Sequence, residues 1–386
     1  MNVLHLITSL KVGGAERALC NLLEVLSVRD MKHHVAYFYD GPCRQTLEAL
    51  SIPCYQIQGV ASCYDPVAII RLCKVIRALK PDVIHTSLWS ANIIGRILGS
   101  MMSIPVISDL HGNCNDEGRF RNIFDRATAH LTYRTVAVAQ TVQESYQKTI
   151  ISSIRQKKRQ EQTKSRLIVI HNGIDVRALE HFAQPNHQKL SLPPTSFVIG
   201  SVGRLEPIKS YDLLIRAFHK AFRELTKTYD VCLVLIGDGS EMSKLKHMAS
   251  NLGLDKQVMF TGFEANPYPY YQLFDCFALS SQSEGLSIAL LEAMAFGLPI
   301  ITTHGDQHHD VITDQINGIL VPVNNIELYA QAILKLYKNP SLRRAQGERN
   351  RCLVRDKFSI SSVGSAYEGL FLNAHKINQS ENIFRP

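Results

Sequence analysis

The chain has 386 residues, of which 45% are hydrophobic and 20% charged, and its formal net charge is +8. That length is too great for one ordinary core, so two domains are expected, and the balance is that of a soluble globular protein. The excess of positive charge comes with no recognised nucleic-acid motif, which turns the reading away from nucleic acid. It leaves phosphate-bearing substrates, an anionic membrane surface or a plain basic surface.

Val3 to Ile7 reads as a buried strand, and Ala15, Ala18, Leu19, Leu22, Leu23 and Leu26 follow at helical spacing. The start of the chain has neither a basic n-region nor a small-residue cleavage site, so no signal peptide is expected. Further strands are predicted at Val35–Tyr39, Val83–His85, Pro105–Leu110, Val136–Ala139 and Leu167–Ile170, with helical patterns such as Pro66–Leu79 and Arg119–Tyr133 between them. Strand and helix in alternation argue for a parallel sheet covered on both faces.

From His171 to Thr195 the alternation pauses over a His/Gln/Asn-rich stretch and the pair Pro193–Pro194, the expected join between domains. It restarts with strands at Phe197–Val202, Val231–Ile236, Val258–Thr261, Cys276–Leu279, Pro299–Thr302 and Ile319–Val321. The fold class is therefore α/β, with two Rossmann-like domains, residues 1–175 and 176–361. The last helical pattern, about 362–386, can pack back on the first. No stretch of about twenty apolar residues exists, so no spanning helix is expected. The best candidate, Ser287 to Thr303, contains Glu292 and is broken by Gly297 and Pro299. Nine cysteines with no Cys-x-x-Cys pair suggest reduced thiols and a cytoplasmic protein.

Ligands of open α/β sheets bind beyond the carboxyl ends of the strands, so the turns after strands matter most. Gly13 and Gly14, between the first strand and its helix, let the backbone approach a phosphate or sugar, though a tight turn without a ligand looks the same. Arg204 and Lys209 bracket a strand end and a helix start; two cations there suit a diphosphate, or are surface charges with nothing bound. Ser280 to Pro299 runs from a strand end through a helix that Ser287 can cap and Gly297 and Pro299 stop. Glu284 precedes that helix and Glu292 lies within it; at 1.5 Å rise per residue their spacing is roughly 12 Å, the reach from a sugar across a diphosphate to a ribose. Glu292 sits among apolar residues, where an unpaired carboxylate is costly, so a hydroxyl-rich ligand or a buried Arg should satisfy it. His111, ending a strand in Ser108-Asp109-Leu110-His111-Gly112, can face a ligand or be structural.

With Asn172-Gly173-Ile174-Asp175 and Pro81-Asp82-Val83-Ile84-His85, these turns carry a resemblance. The chain resembles family 4 of the retaining glycosyltransferases (GT-B fold, glycosyl transferases group 1), nearly end to end. The most specific element is the Glu-x7-Glu spacing of Glu284 and Glu292. The resemblance implies that Glu284 contacts donor-sugar hydroxyls and Glu292 the ribose. Arg204 and Lys209 would neutralise the donor diphosphate, aided by the Gly285, Leu286 and Ser287 segment at the helix start. His111 would lie near the transferred sugar, Gly13 and Gly14 would approach from across the cleft, and the backbone at Phe263 would hold the base. It also implies retention of the anomeric configuration, no metal and no cofactor. The donor would be a nucleotide-diphosphate sugar, a UDP-sugar first, and the acceptor a glycan or lipid-linked molecule of polysaccharide or lipopolysaccharide biosynthesis. The alternatives are a sugar-nucleotide epimerase, a phosphorylase or a non-catalytic nucleotide-sugar-binding module.

The chain departs from the family pattern at Leu286-Ser287, at Ser210 after Lys209, and in the loop His304 to Asp310. His304, His308, His309 and Asp310 could also hold a metal, but loop histidines are usually polar surface. The basic run 155–159 reads as a solvated face. Arg119, Arg121, Arg126 and Arg134 with Phe120 and Phe124 can form a membrane-surface helix, which would place the protein peripherally on the inner face of the membrane, or an ordinary solvated one.

Overall fold

The structure is a computed structural model that describes residues 1–59, 62–114, 118–176, 193, 195–223, 231–304 and 310–382. The chain forms two compact units. The first is Met1–Gly173 together with the C-terminal segment from Ile360, and the second is Ile174–Ser359.

The first unit is built on a sheet of β1 (Asn2–Ser9), β2 (Lys32–Tyr39), β3 (Cys54–Gln56), β4 (Val83–Ser87), β5 (Val106–Leu110), β6 (Arg134–Ala137) and β7 (Leu167–Val169). All neighbours pair in parallel, in the order β3-β2-β1-β4-β5-β6-β7. Strand β3 is a short, polar edge strand that the apolar periodicity does not reveal. Both faces of this sheet are buried, which is why its strands are near-continuous apolar runs. Leu4, Leu6, Ile84 and Val106 belong to one core, against Leu72, Ile76 and Leu98. Val3, Val83 and Ile107 belong to another, against Leu22, Leu26, Tyr367 and Phe371. The last two residues lie on the helix Ile360–Asn382, which returns to the first unit. Gly173 touches it closely: a Cβ there would meet Val363 at 2.8 Å and the Ile360 Cα at 3.0 Å.

The second unit repeats the plan with β8 (Phe197–Val202), β9 (Val231–Ile236), β10 (Val258–Gly262), β11 (Cys276–Leu279), β12 (Ile300–His304) and β13 (Gly318–Pro322). The sheet is parallel, in the order β10-β9-β8-β11-β12-β13. Its core joins Ile199, Leu233, Leu235 and Ala278 to Leu214, Phe218, Tyr329 and Ile333 of the flanking helices.

Both orders reverse direction beside the first strand of their unit, between β1 and β4 and between β8 and β11. Connections leave those neighbouring strands toward opposite faces, so a crevice opens beyond their carboxyl ends. The switch point of the second unit therefore brings the turn after Val202 next to the turn after Leu279. Arg204, Lys209 and Glu284 lie on those two turns.

Candidate active site

In the second unit the two turns are knitted together. The Gln282 amide donates to the Ile208 carbonyl at 2.8 Å, and Ser280 Oγ donates to the Lys209 carbonyl at 2.8 Å. Gln282 Nε2 donates to Ser210 Oγ at 2.9 Å. Ser210 occupies the left-handed region, with φ 46°, which disfavours any residue with a Cβ, so the Gln282 contact helps hold it there. Across this seam Lys209 Nζ pairs with Glu284 Oε1, which also accepts from Ser281 Oγ at 2.7 Å. Arg204 stands exposed at the other end of the β8 turn.

The β8 turn is also braced from β9. The Gly203 amide donates to the Ile236 carbonyl at 3.0 Å and the Leu205 amide to the Asp238 carbonyl at 2.9 Å. Gly237 makes this approach possible: its φ is 136°, and a Cβ there would lie 2.0 Å from the Gly203 carbonyl oxygen.

Glu292 lies on the helix Ile288–Ala295, which Ser287 caps by accepting from the Leu290 amide. The helix ends with Gly297 at φ 74°, its amide bonding the Met294 carbonyl and the Leu298 amide the Ala293 carbonyl. Glu292 is buried. Its carboxylate accepts from Tyr271 Oη at 2.8 Å and from Tyr268 Oη at 3.4 Å, so tyrosine hydroxyls meet the need that a ligand or an arginine was expected to meet. Neither tyrosine is legible as a site residue in the sequence, since both read as core aromatics. A separation of roughly 12 Å between the two glutamates requires helical rise throughout. The structure corrects that, because residues 284–287 are not helical. Gly285 and Leu286 are buried, and Ser287 is half-buried. Phe263 follows the end of β10 and is 46% exposed, leaving its neighbourhood open to a flat ligand. His304 ends β12, while residues 305–309, which include His308 and His309 of the possible metal site, lie outside the described residues.

In the first unit, Gly13 and Gly14 open the helix Gly14–Leu26, and the Glu16 carboxylate folds over Gly13. A Cβ on Gly13 would lie 2.4 Å from Glu16 Oε2, and the Ser9 hydroxyl donates to Glu16 Oε1 at 2.7 Å. A carboxylate of the protein itself thus occupies the favourable end of the helix dipole. His111 follows β5 and lines a recess with His85, Asp109, His171 and Tyr367. Both of its ring nitrogens are buried without a hydrogen-bond partner among the described residues. Burial lowers its proton affinity, and the Asp109 carboxylate, 3.9 Å away, opposes that.

The helix expected over Arg119–Tyr133 runs over Gly118–Thr128 and passes into a short tight turn. Arg134 is not on it; it starts β6.

A family model described as Glycosyltransferase Family 4 matches residues 12–178, and one described as Glycosyl transferases group 1 matches residues 182–352. Together they cover most of the chain. The chain belongs to family 4 of the glycosyltransferases. Among curated relatives of this glycosyltransferase is the UDP-Gal:alpha-D-GlcNAc-diphosphoundecaprenol alpha-1,3-galactosyltransferase of Escherichia coli, 24% identical over 84% of this chain and 85% of that protein. Another is the lipopolysaccharide core biosynthesis glycosyltransferase LpsE of Rhizobium meliloti, 31% identical over 46% of this chain. That match spans 51% of LpsE, about half its length. The fold is that of the GT-B glycosyltransferases. HepE of Anabaena in complex with UDP-glucose superposes with a TM-score of 0.84 at 21% identity, covering 97% of this chain and 100% of HepE. Sucrose-phosphate synthase of Thermosynechococcus elongatus gives 0.81 at 16% identity, covering 97% and 99%.

Proposed function

We propose that this glycosyltransferase moves a sugar from a UDP-sugar to a glycan or lipid-linked acceptor, with retention of configuration and without a metal. The observation that carries the reading is the switch point of the second unit, where Lys209 meets Glu284 across two hydrogen-bonded turns and Arg204 stands exposed on the first of them. The cations are suited to the charge that grows on the diphosphate as the glycosidic bond breaks, and Lys209, held beforehand by Glu284, needs little reorganisation. Glu284 is suited to sugar hydroxyls and Glu292 to the ribose, while His111 on the first unit serves the transferred sugar. With the diphosphate stabilised, its leaving oxygen can take the proton of an acceptor hydroxyl attacking from the same face, which retains the configuration. The galactosyltransferase relative and the UDP-glucose complex of HepE support a uridine donor.

The test is nucleoside-diphosphate release from a panel of sugar nucleotides, with and without a chelator, and NMR of the anomeric proton in the product. Chelator-insensitive release from one UDP-sugar with a retained anomer is the expected result. An inverted product or a chelator-dependent reaction overturns the mechanism. Donor binding without turnover in the presence of lipid-linked acceptors would make the chain a nucleotide-sugar-binding module.

The acceptor side carries a second observation. The helix Gly118–Thr128 is inverted relative to an ordinary surface helix: it buries Asn122, Asp125 and Thr128 and exposes Phe120 (71%), Ile123 (57%) and Phe124 (39%). Its polar side is anchored, since Asp125 receives the fully buried Arg96 at 2.6 Å and the Trp89 ring N–H at 2.7 Å. Arg119 and Arg121 flank the exposed aromatics. Apolar tips among cations fit an anionic bilayer surface, and no described helix is long and apolar enough to cross one. This supports an enzyme held peripherally where lipid-linked acceptors lie. Sedimentation with vesicles containing anionic lipid tests it: binding should fall with salt and in Phe120→Ser/Phe124→Ser, and equal binding to neutral vesicles would sink the idea.

A further inference from the structure

Four polar residues cross the buried sheet of the first unit in a line, and the turns after its strands do not account for them. His33 is on β2, His5 on β1, His85 on β4 and Asp109 on β5, four strands that are neighbours in the sheet. His5 stands opposite His85, His33 opposite Val3, and Asp109 opposite Ser87. Because side chains alternate along a strand, these registers put all four on one face. It is the face of Val3, Val83 and Ile107, covered by the helices Gly14–Leu26 and Ile360–Asn382. From His33 to His5 and from His85 to Asp109 the line moves toward the carboxyl ends of the strands, while His5 and His85 stand level, and it ends beside His111.

All four residues are buried, and buried polar groups need partners. His33 Nδ1 lies 3.0 Å from His5 Nε2, His5 Nδ1 lies 2.9 Å from His85 Nδ1, and His85 Nε2 lies 2.7 Å from Asp109 Oδ2. Aromatic edges from Tyr367 and Phe371 pack on the His85 ring and Phe371 on the His5 ring, fixing their planes. No group of residues suited to hold a metal exists among the described residues. The line is therefore a hydrogen-bond chain.

Its proton order follows from one end. An ionised Asp109 can only accept, so His85 donates through Nε2 and, being neutral, accepts at Nδ1. His5 must then donate through Nδ1 and accept at Nε2, and His33 must donate through Nδ1. Three neutral rings with one proton each satisfy the three contacts along the line, and leave His33 Nε2, buried beside the Leu26 backbone, without a proton at its start. Burial, the main cause, lowers the proton affinity of His5 well below that of an ordinary histidine and brings His33 to about 4, in accord with neutral rings. At the far end, the Tyr367 hydroxyl also donates to the Asp109 carboxylate, and Oδ2 is 3.9 Å from His111 Nε2.

We propose that His33, His5 and His85 form a one-way hydrogen-bond chain that holds Asp109 as a fixed anion beside His111, making His85 a positioning residue for sugar transfer. The role rests on the reading of His111 as the group near the transferred sugar. Burial leaves His111 with lowered proton affinity, and the Asp109 anion offsets part of that, which favours its use as a donor toward a ligand.

Two readouts test it. In the wild-type protein at about pH 7, 15N NMR of the imidazoles should find His5 and His33 protonated on Nδ1 and His85 on Nε2. Any one of them in the opposite tautomer, or doubly protonated, overturns the chain. Among variants, His85→Gln keeps a donor for Asp109 and an acceptor for His5, whereas His85→Leu keeps neither. His85→Gln should retain kcat within about threefold, and His85→Leu should lose about tenfold or more with an unchanged donor KM. Equal losses in both, or none in either, overturn the positioning role. The NMR readout needs no turnover and no variant fold, so failure of the chain and failure of the transferase reading are told apart.

Discussion

Lys209 and Glu284 are 75 residues apart in sequence and form an ion pair across the switch point of the second unit. The lysine that would meet a diphosphate is thus held by the carboxylate that would meet the sugar, and a donor engages both partners of an existing pair. Substituting Glu284→Gln removes the carboxylate and keeps its shape. UDP, which has no sugar, should then bind within about threefold of wild type or tighter, because Lys209 is released. Turnover of the UDP-sugar should fall by about a hundredfold. Calorimetry with UDP alongside steady-state kinetics checks the split, and equal losses in both would remove the sugar-side role of Glu284.

Glu292 is buried against Tyr271 and Tyr268. Glu292→Ala should weaken UDP binding by about tenfold or more and lower stability by about 1–3 kcal/mol, since Tyr271 loses its 2.8 Å acceptor in the core. Tyr271→Phe separates the two effects: it should be destabilising to a similar or smaller degree while UDP binding stays near wild type. If both substitutions weaken UDP equally, Glu292 acts through packing alone.

The β8 turn rests on Gly237, whose φ of 136° and contact with the Gly203 carbonyl leave no room for a side chain. Gly237→Ala should cost about 1–3 kcal/mol in backbone strain and push the Arg204 turn away from β9. A lower thermal midpoint together with weaker UDP binding is expected. Unchanged binding in a folded variant would show that the turn is positioned by the Gln282 and Ser280 contacts instead.

The histidine chain gives the first unit a pH dependence with a definite sign. Burial, and then the neighbouring histidines, depress the folded-state values of His5 and His33 below the ordinary 6.5, with His33 at about 4. Between those two values the unfolded chain binds protons that the folded one does not, so stability is retained above 6.5 and lost as pH falls toward 4. The expected slope is about 1.4–2.7 kcal/mol per pH unit, one to two protons. Denaturant titrations at about pH 7 and about pH 5 measure it, and the difference should shrink in His33→Phe.

Much of this molecule is legible in the amino-acid sequence alone. The alternation of strand and helix points to the two parallel sheets, because strands buried on both faces are mostly apolar. Ser287 and Gly297 mark the ends of their helix through capping chemistry that is local to the chain. Strand β3 escapes because a short edge strand buries little, and Arg134 groups with a helix because periodicity does not say where a helix stops. Arg119 and Phe120 stand out as a basic and aromatic pattern, but their exposure follows from Arg96 and Trp89 drawing Asp125 inward.

The candidate site divides along the same line. Residue type and position after a strand suffice to nominate Lys209, Glu284, Glu292 and His111, since the carboxyl ends of parallel strands are where such sheets bind ligands. Pairing is another matter. That Lys209 meets Glu284, that Tyr271 satisfies Glu292, and that His5 aligns with His85 depend on strand order and register. Those are set by side-chain packing between segments far apart in the chain, so only the tertiary structure decides them.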